Sequence, residues 1–142
     1  MILVDTNVIS EPLRKAPDPV VVDWIDAQPL ETLYLSAVTV AELRFGVACL
    51  PTGKRRDRLH ESMESRVLPL FIGRVLSFDL AASQAYADTM SRARSAGLAI
   101  GTADGYIAAT AAANRMAVAT CDTVAFAAAG IPVIDPWHQG QN

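Results

Sequence analysis

Ile2-Leu3-Val4-Asp5-Thr6-Asn7 carries the reading of the fold. Three successive apolar residues, with no polar alternation, describe a strand buried on both faces, as in parallel sheets covered by helices. The switch to Asp5, Thr6 and Asn7 marks the carboxyl end of that strand. The same motif recurs along the chain. Short apolar runs at Leu33-Tyr34-Leu35, Val75-Leu76-Ser77-Phe78, Ala117-Val118-Ala119-Thr120 and Pro132-Val133-Ile134 alternate with longer amphipathic segments. One or two helical turns are expected after Asn7 through Leu13, stopping near Pro17. Pro19 suits the first turn of a helix that aligns Val20, Val21, Trp24 and Ile25. Thr39-Val40-Ala41-Glu42 has the spacing of a capping box, predicting a helix with Thr39 as N-cap and an end near Leu50. After Pro51-Thr52-Gly53, a charged helix from about Lys54 places Leu59, Met63 and Val67 on one side. Asp79 is expected to cap a helix carrying Tyr86, Met90 and Ala93, with Gly97 ending it, and a further helix runs from about Thr102 to Asn114. The expectation is a single domain over 1–142, an α/β/α sandwich around a parallel sheet of about five strands.

The 142 residues are 51% apolar and 19% charged, which describes a folded globule rather than a disordered chain. No apolar run reaches membrane-spanning length and no charged leader precedes one, so the expectation is a cytoplasmic protein without a membrane partner. Cys49 and Cys121 form no CxxC pair, and His60 and His138 are too few for a histidine-based metal site. The net charge of −3 argues against indiscriminate coating of nucleic acid. It does not argue against a nuclease, in which cations offset local negative charge.

Acidic residues recur where such a sheet exposes its strand ends. Asp5 follows the first strand, Glu42 lies early in the helix after the second, Asp104 opens the late alanine-rich helix, and Asp122 follows the fourth strand. Ligands of open parallel sheets bind beyond the carboxyl ends of the strands, so all four point toward one end of the molecule. Each also has a local explanation. Asp5 can close a turn, Glu42 can complete the box with Thr39, Asp104 can favour the positive end of its helix, and Asp122 can cap a short one. Convergent carboxylates raise each other's proton affinity unless a cation joins them. Oxygen-only ligands favour Mg²⁺ or Mn²⁺, and a phosphodiester is the natural substrate of such a site. Thr6, Asn7 and Thr120 stand next to these positions as supporting groups, able to orient a carboxylate or a water by hydrogen bonding.

At this point the chain resembles a known family. Ile2-Leu3-Val4-Asp5-Thr6-Asn7-Val8-Ile9-Ser10-Glu11 is similar to the amino terminus of PIN-domain ribonucleases, and of VapC toxins of the FitB-like branch in particular. Leu35 through Gly46, Asp104-Gly105-Tyr106-Ile107-Ala108-Ala109 and Gly130 through Trp137 extend the likeness over nearly the whole chain. The resemblance implies a PIN fold and metal-dependent endoribonuclease activity. It assigns Asp5, Glu42 and Asp104 to metal binding or positioning, with products bearing a 5′-phosphate and a 3′-hydroxyl. The segment after the fourth strand departs from the pattern. Asp122 stands where the family often has Asn, and Ala125 where it often has Asp. On the simplest reading Asp122 is the fourth acidic group. The family also implies a VapB-like antitoxin, contact with operator DNA only through that antitoxin, and a homodimer.

Lys54, Arg55, Arg56 and Arg58 form a basic cluster suited to RNA phosphates, or to a merely solvated helix face. Arg92 and Arg94 form a weaker set, and Trp24, Phe45 and Leu50 are candidates for a partner groove or for the core. The rival readings are an inactive PIN-like interaction module and a PIN nuclease acting on another single-stranded nucleic acid. A dehalogenase-like phosphatase would want Asp-x-Asp where this chain has Asp5-Thr6-Asn7.

Overall fold

The computed structural model describes residues 1–139, so the last three positions of the expected domain lie outside the described residues. Five parallel strands form the sheet: β1 (Ile2–Val4), β2 (Leu33–Ser36), β3 (Val75–Leu76), β4 (Ala117–Ala119) and β5 (Val133–Ile134). Their order is β3-β2-β1-β4-β5. The chain thus builds outward from β1 on one side, then crosses back to build on the other. Ile2, Leu3 and Val4 of β1 lie opposite Ala117, Val118 and Ala119 of β4. The order of the strands reverses at this seam, where the connections diverge and a crevice opens past the strand ends.

Helices cover both faces, and the strand residues divide between two cores. Val4, Leu33, Leu35 and Ala119 pack on one face with α1 (Thr6–Ile9), α2 (Pro19–Ala27) and α3 (Ala37–Ala48). Met63 and Phe71, from the segment after α4 (Lys54–Ser62), complete that layer. Leu3, Val118 and Val133 face the other way, onto α6 (Thr102–Ala113) and α7 (Thr123–Ala128). The long α5 (Leu80–Ser95) packs along α6. Side chains of successive strand residues alternate between the two cores, as the pleat requires, so a three-residue strand such as β1 contributes to both. This is a three-layer α/β/α fold with a central parallel sheet of five strands.

Several local expectations need correcting. The Thr39–Glu42 capping box is not formed. β2 runs directly into α3, and Ser36 is the N-cap, its hydroxyl accepting from the Val38 N–H at 3.0 Å. Ser36 offers the same capping chemistry three residues earlier, which leaves Thr39 fully buried and Glu42 free of any capping duty. The segment after β1 does follow the expectation, one α-turn and then a 3-10 turn at Glu11–Leu13. α4 does not continue as a regular helix. It widens into a π-type turn at Met63–Val67 and then tightens at Leu68–Phe71, where Pro69 cannot donate to a helix. β3 is two residues long instead of four. Asp79 does cap α5, accepting from the Ala82 N–H at 2.9 Å, and Gly97 takes φ 73° just beyond its end.

No helix of the described residues is long and apolar enough to cross a membrane. The contact of α5 with α6 depends on Gly105, because a Cβ there would stand 2.9 Å from the Met90 Sδ and 3.1 Å from the Tyr86 Cε2. Gly105 directly follows Asp104, so this contact also sets how deep the start of α6 sits. Gly105→Val is expected to destabilise the fold by about 2 kcal/mol through overpacking. A urea-unfolding midpoint equal to that of the unsubstituted protein would show that the contact is slack.

Candidate active site

Asp5 occupies the first position past β1, and Thr120 the first past β4. The ladder between the strands continues one step beyond them, the Asp5 N–H donating to the Ala119 carbonyl at 2.9 Å. The two side chains therefore meet. The Thr120 hydroxyl donates to Asp5 Oδ2 at 2.8 Å. Asp5 is only 3% exposed, and a carboxylate that deep is tolerated only with its oxygens bonded. Asn7 Nδ2 reaches the same Oδ2 at 3.1 Å, and the Thr6 N–H donates to Oδ1 at 2.8 Å. Thr120 Oγ1 also accepts from the Asp122 N–H at 2.9 Å and from Asn7 Nδ2 at 3.3 Å, while Asn7 Oδ1 accepts from the Cys121 N–H at 3.2 Å. Asn7 and Thr120 thus tie the turn after β4 to the start of α1, with Asp5 between them.

Glu42 projects from the middle of α3 toward this group. Its Oε1 accepts from the Thr6 hydroxyl at 2.7 Å. Thr6 Oγ1 lies 3.2 Å from Thr39 Oγ1, and its single proton is committed to Glu42, so Thr39 is the donor in that pair. A relay from buried Thr39 through Thr6 holds the Glu42 carboxylate, and the sequence offered no sign of it beyond the residue types. Asp104 lies in the first turn of α6, half-buried, and Asp122 precedes α7 without making a capping bond through its side chain. The local explanations for Glu42 and Asp122 are therefore not what their side chains do.

The electrostatics express the convergence. Asp104 is pushed from an ordinary 3.8 up to about 7, first by burial, then by a hydrogen bond with Asp122, then by the charges of Asp5, Asp122 and Glu42. Asp104 and Asp122 are close enough to share a proton. Asp5 is raised by burial, and less strongly by Glu42 and Asp122, against the lowering effect of the Thr120 hydroxyl and the Thr6 N–H. Among the described residues, no three His, Cys, Asp or Glu side chains close into a ready ligand cage. The donors are nonetheless all oxygens, and the raised Asp104 holds a proton that a hard divalent cation would displace, so the set fits Mg²⁺ or Mn²⁺ in chemistry.

Two mouths open onto this centre. A groove of about 360 Å³ is lined by Thr6 and Glu42 and runs between α1, α3 and α4 past Leu43, Leu50 and Met63 to Arg14 and Arg55. A smaller cavity of about 230 Å³ on the other side holds Asp104 and Asp122 with Leu98, Gly101, Ala125 and Ala128. Leu50 thus lines the groove, whereas Trp24 packs on the first core and Phe45 is 71% exposed on α3. Arg92 and Arg94 lie in the last turn of α5. Arg14 was passed over in the sequence because it reads as the tail of a short helix.

The comparisons with known proteins agree with this architecture. The PIN domain family model matches residues 2–131. Plasmid stability protein StbB of Pseudomonas syringae pv. tomato is 60% identical over 138 residues, 97% of this chain and 99% of its own. VapC ribonuclease Y4jK of Sinorhizobium fredii is 59% identical over the same shares. Toxin FitB of Neisseria gonorrhoeae is 55% identical over 97% of this chain and 99% of its own. The solved structure of FitAB bound to the IR36 DNA fragment matches with a TM-score of 0.94 at 56% identity, covering 97% of this chain and 96% of that one. This chain therefore belongs to the PIN-domain family and is closely related to the VapC and FitB toxins of toxin–antitoxin systems.

Proposed function

We propose that this protein is a divalent-metal-dependent endoribonuclease, the toxin of a type II toxin–antitoxin module. One observation carries the reading. Four carboxylates gather at the β1/β4 seam, and burial, the bond with Asp122 and the neighbouring charges together raise Asp104 to about 7. Like charges brought together around the buried Asp5 work against stability, and a cation with a phosphodiester substrate accounts for them. The name of Y4jK as a VapC ribonuclease supports RNA as the substrate. The solved complex of FitAB with DNA supports an antitoxin partner that connects this chain to operator DNA. A homodimer and products with a 5′-phosphate and a 3′-hydroxyl follow from the family likeness.

Asp5, Glu42, Asp104 and Asp122 would hold Mg²⁺ or Mn²⁺. Bound there, the cation supplies Lewis-acid activation of water and neutralises charge developing on the phosphate. The protein's own part is positional. Thr120, Asn7 and the Thr6 N–H fix both oxygens of Asp5, so its orientation costs nothing at the moment of reaction. Thr6, backed by Thr39, does the same for Glu42. Asp104, bonded to Asp122, is the group that would give up a proton when a cation enters.

A second reading rests on Ala125, which lines the smaller mouth beside Asp104 and Asp122 where the family often carries Asp. On that reading the chain is a catalytically silent PIN-like module. Purified protein incubated with RNA and Mg²⁺ or Mn²⁺ decides between them, provided Asp104→Asn is run in parallel. Cleavage should fall at least about 100-fold in the variant, corresponding to roughly 2.7 kcal/mol of lost transition-state stabilisation. Equal cleavage by both would exclude Asp104 from the chemistry, and absence of cleavage by either would favour the silent module.

The raised Asp104 makes two pH effects. The native state keeps a proton that the unfolded chain releases near 3.8, so metal-free stability should fall as pH rises from about 4 to about 7, then level off. Urea unfolding in chelator at pH 5 and pH 8 should show a larger drop in the unsubstituted protein than in Asp104→Asn. Mg²⁺ binding displaces the same proton, so calorimetric affinity should weaken progressively below about pH 7, and that dependence should flatten in the variant. Thr6→Val removes the donor that holds Glu42 and should lower metal affinity and cleavage about 10–100-fold. Unchanged values would show that Glu42 is held by something else.

A further inference from the structure

Beyond Arg14 and Arg55 the groove that begins at Glu42 passes into an adjoining cavity of about 450 Å³. Leu13, Arg55 and Leu59 line both, so the two are continuous. Lys15, Lys54 and Arg58 complete the second cavity's charged lining, and no acidic residue contributes to it. All of these cations are exposed, and Lys15, Lys54, Arg55 and Arg58 enter no ion pair among the described residues. Arg14 is different. Its Nη1 bonds the carboxylate of Glu11, itself only 4% exposed, at 3.2 Å. That buried anchor stations a guanidinium at the boundary between the carboxylates and the cationic cavity.

Helix geometry divides the basic run on α4. Lys54 and Arg58 are four residues apart and share a face, whereas Arg56 is turned about 200° from Lys54. Arg56 accordingly lines a separate cavity with Arg44, Asp57, His60 and Glu64, in which Arg44 is already paired with Glu64 at 2.8 Å. The smaller mouth on the opposite side of the carboxylates has no cation in its lining. A chain of net charge −3 therefore gathers unpaired positive charge along one side of its acidic centre and none along the other.

We infer that the RNA strand is gripped asymmetrically, by a phosphate track of Arg14, Lys15, Lys54, Arg55 and Arg58 on one side of the scissile bond only. The inference rests on the nuclease reading and adds where the substrate lies. The track contacts backbone phosphates while Leu13 and Leu59 form an apolar floor between them, so it sets position and not base sequence. Arg56 is outside it.

The test is the salt dependence of binding of a short fluorescent single-stranded RNA, in chelator so that no cleavage intervenes. Lys15→Gln/Lys54→Gln/Arg58→Gln should lower the slope of log Kd against log salt by about 2, at about 0.7 per phosphate contact on a single strand. Arg115→Gln removes one charge two residues before β4, at the far end of the sheet, and should leave the slope unchanged. A triple variant with the original slope overturns the track, as does a loss of slope in Arg115→Gln approaching one third of the triple variant's. If the unsubstituted protein binds RNA with the expected slope yet never cleaves it with Mg²⁺ or Mn²⁺, the nuclease reading fails and the track stands. If it does not bind RNA at all, both fail.

Discussion

The hydrogen bond from Thr120 to Asp5 joins the ends of β1 and β4 across the place where the strand order reverses. Everything else at the site is arranged around the carboxylate it secures. Because the strands are parallel and adjacent in register, the residues just past them must come side by side. A buried Asp at one of these positions needs a donor at the other, and Thr120 supplies it while accepting from Asn7 and from the Asp122 N–H. The turn that carries Asp122 is thereby fixed relative to Asp5. Glu42 and Asp104 then arrive from α3 and α6, one helix from each covering layer. The result is a centre whose parts come from four distant stretches of chain but whose geometry depends on a single seam.

That arrangement works against stability in the absence of a cation. Asp104 answers by keeping its proton, and Asp5 by drawing on three donors. The two solutions differ in what they permit. Asp5, 3% exposed and bonded at both oxygens, is a fixed reference point. Asp104 and Asp122 have no comparable set of donors, and Asp104 is raised by burial and by its bond with Asp122. Such a division between a fixed carboxylate and a less constrained pair would suit a site that had both to place a metal and to remain folded without it.

The fold was largely legible because burial on both faces writes itself into short apolar strands, and Ile2-Leu3-Val4 and Ala117-Val118-Ala119 each show it. The positions of Asp5, Asp104 and Asp122 at strand ends or helix starts were legible for the same reason. Glu42 was legible as a residue but not as a geometry. Ser36 and Thr39 are equally good caps, and only the length of β2 decides between them. The relay of Thr39, Thr6 and Glu42 spans more than thirty positions and follows no period, so no local pattern could reveal it. The irregular turn after α4 escaped for another reason: spacing by four is satisfied by Leu59, Met63 and Val67 whether the helix stays regular or widens.

Family likeness and surface charge address different questions about this molecule. Identity near 60% with StbB and Y4jK shows the family and hence the architecture. It does not explain how an acidic protein with an acidic centre would approach a polyanion. Repulsion between the cleft and an RNA strand is strongest before a metal is bound, and it falls off over about 8–10 Å at ordinary salt. Cations along a groove continuous with Glu42 act on the side from which that groove is entered, whereas net charge is averaged over the whole surface. A one-sided track has a further consequence. It would anchor the strand on one flank, whereas the other flank, where Gly101, Ala125 and Ala128 stand beside Asp104 and Asp122, offers no cation, so a fragment on that side would be held by little.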